Sequence, residues 1–289
     1  MGEAARFNSA KMIGFAVGVI VALAMAFTLV AVHPATALAK TKYVKVSVLV
    51  KSESKSMRGD DLRAKSETSY DYNKNKLISQ CGTSSYGAGW AGISVRGFKY
   101  SKGKLSKVLD MAGPKDWFGS SVFTRDKKGR VTKSVSEITY KTTNKYKYDK
   151  KNRISKVSFT YKFSTGKVVK GSSTAKYNKK GLISQIVTKG GYDGMRGTVN
   201  YTYDSRGMIK SVAKKGVSKT TYKNTYKSGK LVKSVATTKY NSGEESVVET
   251  TTYKYKTVKV PQKYAAQVKA QQKALFNVTF PTAEKELLL

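Results

Sequence analysis

One short unit recurs along this chain and fixes most of what it can fold into. It is an aromatic residue, any residue, a second aromatic, a polar turn with Asn, Asp or Gly, and then a basic residue followed by Ile, Leu or Val. The unit runs through Tyr70–Ser79, Phe98–Leu105, Tyr146–Ile154, Tyr201–Ile209 and Tyr226–Leu231. Looser copies lie at Phe123–Val131, Phe163–Val168, Tyr177–Ile183 and Tyr240–Val247. Each copy reads as a β-hairpin, because Asp, Asn, Ser and Gly supply the turn and left-handed conformations of a tight reversal. The flanks alternate. Val157, Phe159, Tyr161 and Phe163 point one way, and Ser158, Thr160 and Lys162 the other, which is the period of a strand with one buried face.

The aromatics at 148, 163, 177, 203, 226 and 240 are separated either by a strand and a turn or by about two strands. An antiparallel meander of roughly 14–17 strands follows. Its turns are placed near 149–153, 164–166, 178–181, 190–197, 204–207, 215–217, 227–229 and 241–243. One face of such a sheet is rich in Tyr, Val and Phe and must be covered, yet little helix is available to cover it. The fold class is therefore all-β, with the meander rolled into a barrel, a flattened sandwich or a spiral sheet.

Three regions follow. Residues 1–39 read as a signal peptide or signal anchor: Arg6 and Lys11 precede an apolar run over 12–32, and Ala37-Leu38-Ala39 marks a cut before Lys40. The run would also be long enough to cross a bilayer if uncleaved. Residues 40–260 form the β-repeat domain. Residues 261–289 are a helix and tail, in which Tyr264, Val268 and Leu275 share a face, and this helix is expected to plug an open end of the rolled sheet or to lie on an anionic membrane.

The repeats resemble the YD-repeat, or RHS-type, family. The residues that carry this are Tyr148-Asp149 with Asn152-Arg153-Ile154, Tyr203-Asp204 with Gly207-Met208-Ile209, and Asp126 with Gly129-Arg130-Val131, within about Glu67 to Tyr255. The resemblance implies rolled β-sheets on secreted or cell-surface proteins; it implies no ligand.

Charge narrows the function. Lys and Arg number 55 against 18 Asp and Glu, a formal net charge of +37. Removing 1–39 takes away Arg6, Lys11 and Glu3 and leaves +37 − 1 = +36. Only nine of the 55 are Arg. Lys is a hydrated point charge and Arg a bidentate fork, so this excess favours diffuse attraction to anions over geometric readout.

Catalytic and metal chemistry has little to work with. His33, the single histidine, lies in the leader, and Cys81 is the single cysteine, which argues against His-based triads and ligand sets. Ser52-Glu53-Ser54-Lys55 and Ser173-Thr174-Ala175-Lys176 match Ser-x-x-Lys without its companion motifs. Asp126, Asp149, Asp193 and Asp204 sit at hairpin tips, while Glu67 and Glu137 lie in strands and are expected to pair with Lys. Gly87-Ala88-Gly89-Trp90-Ala91-Gly92 matches a dinucleotide fingerprint, but a strand follows where a helix is needed.

The expectation is a non-catalytic exported protein of the cell surface or envelope, without cofactor or metal. It would bind anionic wall polymers, acidic glycans or a host surface through outward lysines such as Lys147, Lys162, Lys176, Lys223 and Lys239. No specific nucleic acid is expected, and membrane contact only through 12–32. The alternatives are a carbohydrate-binding module that stacks sugars on Trp90 and Trp117, the latter placed in a second aromatic loop, and a purely structural surface protein.

Overall fold

The computed structural model describes residues 41–276 and 278, apart from 88, 112–116 and 138–139. The side chains of residues 111, 117, 118 and 193 are also outside the description. The leader at 1–39 and the tail beyond 278 fall outside the described residues.

Sixteen antiparallel strands form one closed barrel in which each strand pairs with its neighbours in sequence and the last pairs with the first. The first eight are β1 Tyr43–Arg58, β2 Asp61–Tyr72, β3 Ile78–Gly87, β4 Trp90–Ser101, β5 Lys104–Met111, β6 Trp117–Arg125, β7 Val131–Glu137 and β8 Lys141–Tyr148. The second eight are β9 Ile154–Lys162, β10 Val168–Tyr177, β11 Ile183–Gly190, β12 Gly197–Tyr203, β13 Ile209–Lys214, β14 Ser218–Lys227, β15 Lys230–Tyr240 and β16 Val247–Pro261. Helix α1, Gln262–Ala274, follows. Of the closures left open by the sequence, the barrel is the one adopted, and the strand count lies within the expected range. Closure removes the unpaired edges that an open sheet of this size would expose.

Turn chemistry explains why the hairpins form where they do. At Asn73, Asp126, Asp149, Asn178 and Asp204 the side-chain Oδ1 accepts a backbone N–H four residues on. In each of these turns the fourth residue has positive φ: Lys76, Gly129, Asn152, Gly181 and Gly207. The pairing register then shifts by one residue in the flanking strands, for example between Lys147 and Tyr148 opposite Ile154. This is an Asx turn joined to a one-residue bulge, and glycine or asparagine fits its left-handed position.

The bulges build a ring around this end of the barrel. Tyr100, Tyr148, Tyr177, Tyr203 and Tyr255 donate their hydroxyls to the backbone carbonyls of Ile78, Val131, Ile154, Ile183 and Leu231, at 2.6–2.9 Å. Tyr72 does the same to Leu49. Arg125 takes the place of the tyrosine at one position and donates to Leu105. Each bond ties a hairpin to the strand behind it, so the repeated tyrosine is a lock between hairpins. Burial pushes the phenols of Tyr177, Tyr203 and Tyr255 up to about 12. The aromatics at 163 and 240, spaced as though they belonged to the same set, lie at the opposite rim.

Arginines brace this tyrosine rim. Arg130 and Arg153 pair with the Oδ2 of Asp126 and Asp149 and stack on Tyr148 and Tyr177, 4.7 and 4.1 Å from the ring centroids. Backbone and side-chain hydrogen bonds from Arg130 hold the Asp126 carboxyl below its usual range, and the Arg153 side chain does the same for Asp149. A carboxyl whose folded pKa is depressed contributes stability above its unfolded pKa of about 4 and loses it as pH falls through the lower folded value. The urea midpoint should therefore be flat from pH 7 to 5 and fall below about pH 4. In the D126N/D149N double variant that acid fall should be shallower; an unchanged acid limb would refute the assignment.

Directly paired residues share a face of a sheet, so the registers sort the wall. Val157, Phe159, Tyr161 and Tyr146 face inward and are buried. A layer of hydroxyls shares that face, including the bonded pairs Ser173–Thr188, Ser54–Thr251 and Thr68–Thr83. Arg96 and Asp110 form an inward ion pair at 2.7 Å.

β1 and β16 pair over Tyr43–Arg58, whereas β2 meets β1 only from Lys51 onward and β15 meets β16 only up to Thr252. Tyr43–Leu49 and Tyr255–Pro261 thus continue beyond the wall as a two-stranded ribbon. Its Val46, Val48 and Val260 bury against Val268 of α1 and Leu77 of the β2–β3 turn, and full burial of Val268 alone contributes about 1.5–3 kcal/mol. Pro261, expected to open the helix, instead ends β16; the N–H of Gln262 is satisfied by the carbonyl of Lys42.

Gln271 is fully buried and bridges the barrel end, accepting from the N–H of Ile78 and donating to the Tyr100 hydroxyl. Gln272 accepts from the N–H of Leu49, and Gln267 donates to the carbonyl of Gly103. Beyond the helix, Leu275 and Val278 pack on the inward clusters around Phe98 and Val157. The helix and the residues after it therefore plug the tyrosine rim, as expected of this segment.

Candidate functional site

The outward face is a field of lysines. Lys147, Lys162, Lys176, Lys223 and Lys239 are all exposed on outward strand positions, as the alternation required. The registers show something that alternation alone does not. On this wall Lys55 lies opposite Lys65, Lys99 opposite Lys107, Lys133 opposite Lys145, Lys141 opposite Lys162, Lys147 opposite Lys156, and Lys219 opposite Lys239. Lys51 opposite Lys254 and Lys227 opposite Lys230 add to these, and since like charges directly opposite on a sheet destabilise it, such pairs are a standing electrostatic cost.

Among the described residues, acidic side chains relieve this in a few places. Lys51 reaches Glu53 and Glu67 at 2.9 and 2.6 Å, and Lys254 reaches Glu53 at 3.1 Å. Hydrogen bonds donated first to Glu53 and then to Glu67 raise the Lys51 pKa. Lys141 pairs with Glu137 at 2.6 Å. The pairing expected of Glu67 and Glu137 is thus present.

The two tryptophans do not form one surface. Trp90 opens β4 and is 51% exposed. Its ring lies against Gly87, where an added Cβ would come within 2.4 Å of the indole nitrogen. Trp117 stands in strand β6 and not in a loop, paired with Met111, and its side chain falls outside the described residues. Gly87 and Trp90 face each other across a hairpin, so the glycine-rich match is a strand reversal.

Two features escaped sequence reasoning. At the rim opposite the tyrosine ring, Tyr140, Tyr161, Phe163 and Tyr192 form a connected set of ring contacts with centroids 5.1–6.0 Å apart. Tyr140 and Phe163 come from different hairpin ends, and no local motif joins them. The second feature is a cavity of about 510 Å³ beside the β12–β13 turn, lined by Tyr203, Asp204, Ser205, Arg206, Lys210, Tyr222, Asn224 and Tyr226. Its signal was present in the sequence as a departure from the repeat.

The wall itself defines a class: a closed up-and-down β-barrel with an aromatic and hydroxyl interior and a cationic exterior. A bilayer-spanning barrel carries an outward apolar band about 25 Å tall between aromatic girdles. Here the outward positions of β8, β9, β10 and β14 are Lys, Thr and Ser apart from Val168.

The fold is found in solved structures. A porin-like protein from Bacteroides uniformis matches over 72% of this chain and 98% of its own, with 16% identity and a TM-score of 0.51. A porin-like protein from Bacteroides vulgatus matches over 72% and 99%, at 12% identity and a TM-score of 0.35. The crystal structure of TcdB2-TccC3-Cdc42 matches 63% of this chain but 12% of its own, with a TM-score of 0.28. No family model matches the sequence, and no curated protein matches it. At these identities the first likeness is one of fold alone.

The resemblance to YD-repeat proteins is corrected by these findings. The architecture that matches over almost the whole of another chain is a porin-like barrel. The Tyr-Asp pairs at 148–149 and 203–204 are the lock and turn of ordinary bulged hairpins. Such chemistry is local and belongs to no one family.

Proposed function

We propose that this protein is a non-catalytic, extracytoplasmic barrel that binds anionic polymers along its outer wall. The observation that carries this reading is the set of directly opposed lysine pairs. A fold under selection for stability alone has no use for them, whereas a polyanion laid across the wall offsets their repulsion and releases its own counterions. The lysines stand on rigid strands, and their ammonium groups are hydrated points suited to sulfate, phosphate or carboxylate without base readout. An envelope or secreted setting, read from the leader at 1–39, supplies such polymers outside the cell.

Retention of the full chain on a heparin resin across a sodium chloride gradient tests the proposal. Elution well above 0.3 M salt is expected, with log affinity falling linearly against log salt. Failure to bind, or elution at low salt, refutes it.

A further inference from the structure

The tyrosine rim repeats itself around the barrel, so each hairpin serves as a control for the others. At seven positions the side chain in the lock site reaches the carbonyl behind it: Tyr72, Tyr100, Arg125, Tyr148, Tyr177, Tyr203 and Tyr255. The eighth, Tyr226, does not. Its hydroxyl donates to Asp204 Oδ2 instead, and Asn224 takes over the carbonyl of Ile209 at 3.0 Å.

A second departure sits in the same place. In the turns at Asp126 and Asp149 the residue four positions on is an arginine that occupies Oδ2 and covers the next tyrosine. In the turn at Asp204 that residue is Met208, and Arg206, two positions on, stacks on Tyr226 at 4.3 Å. The 510 Å³ cavity lies at this hairpin. Asn224 stands where Tyr146 and Tyr201 stand in other copies, and its shorter amide leaves the repeat open here.

We infer that this cavity is a subsite for one acidic sugar residue of the polymer, its ring against Tyr222 and Tyr226 and its anionic group on Arg206 and Lys210. The inference rests on the polyanion reading and narrows it to acidic glycans. The chemistry is of two kinds. The phenol rings offer flat faces on which the C–H side of a pyranose packs. Arg206 and Lys210 are exposed at the mouth and present a planar fork and a point charge to a carboxylate or sulfate. Asp204 keeps no free acceptor with which to compete for Arg206 and Lys210. Its Oδ1 accepts the N–H groups of Arg206 and Met208, and its Oδ2 accepts Tyr226 and Asn224, which fills a carboxylate's capacity. The Tyr222 hydroxyl can exchange hydrogen bonds with ring hydroxyls. The volume lies within the usual range for small-ligand pockets.

The test is calorimetric titration of the full chain with a galacturonate trisaccharide in 0.3 M sodium chloride, where diffuse attraction to the wall is screened. Binding is expected, at least tenfold tighter than for a neutral glucose trisaccharide. Asn224→Tyr restores the aromatic of the other copies, and Met208→Arg brings in the guanidinium of the turns at Asp126 and Asp149; either should weaken binding at least tenfold, as should Arg206→Gln, while elution from heparin stays the same. No binding, equal affinity for the neutral sugar, or equal affinity in the first two variants would overturn the inference. A thymidine tetranucleotide that binds as tightly and competes would overturn it in favour of nucleic acid. Loss of heparin retention with trisaccharide binding intact would instead sink the wall reading alone.

Discussion

Reversing one lysine in each of four opposed pairs is expected to weaken polyanion binding and stabilise the fold at the same time. The substitutions are Lys145→Glu, Lys156→Glu, Lys162→Glu and Lys239→Glu, which leave Lys133, Lys147, Lys141 and Lys219 facing a carboxylate. The net charge falls by 4 × 2, from +37 to +29. Affinity for heparin at 150 mM salt should drop about 10- to 100-fold, because each lost cation removes released counterions and each gained anion repels the polymer. Each conversion from like to unlike charge is worth up to about 1 kcal/mol in a cross-strand pair, less after solvent screening, so the sum is roughly 1–2 kcal/mol at low ionic strength. Thermal unfolding and heparin affinity, measured on one preparation at 20 and 500 mM salt, give both signs. Weaker binding without a gain in melting temperature would show that the opposed lysines impose no strain. Unchanged binding would remove the wall from the function. The opposite movement of the two quantities is the signature of a surface kept unfavourable for the sake of its ligand.

The sequence carried the hairpins because their causes are local. Asp149 holds Arg153 and Asp204 holds Met208 through contacts only four residues long, and such turns can be read from composition and spacing. The lysine wall was legible for the same reason: Lys219, Lys223 and Lys239 follow the period of a strand. The closure was not legible. The pairing of Tyr43 with Pro261 joins the two ends of the β-domain, and a barrel, a sandwich and a spiral share one local pattern. Nor was the plug's mechanism legible in full. Val268 followed from helical period, but Gln271 reads as a solvated polar residue until Ile78 and Tyr100 are placed beside it. The cavity was hidden for another reason. Asn224, on its lining, is an ordinary residue whose meaning lies in not matching its counterparts Tyr146 and Tyr201.

The most damaging single change is expected at Gly190, a residue no motif singled out. Gly190 pairs with Gly171 across β10 and β11, and both Gly190 and Gly191 have positive φ, +69° and +76°. The ring of Phe159, 2% exposed, lies over this seat. A Cβ on Gly171 would meet the ring at 2.4 Å, and one on Gly191 would meet it at 3.0 Å. A Cβ on Gly190 would meet the carbonyl oxygen of Lys170 at 2.5 Å and the Cα of Gly171 at 2.9 Å. These neighbours are backbone held in a ladder and cannot step aside. Gly190→Val combines a β-branched side chain in the left-handed region with a backbone clash, at about 3–5 kcal/mol. For a domain of this size that is a fall of roughly 6–20 °C in melting temperature. Gly229→Val is the matched control, since Gly229 has a similar φ of +76° but nothing within 4 Å of an added Cβ; it should cost about 1–3 kcal/mol. If both variants melt within a few degrees of each other, dihedral preference alone sets the cost and the glycine seat does not hold Phe159. If Gly190→Val alone collapses, the close approach of β10 and β11 beneath that ring is what keeps this side of the barrel shut.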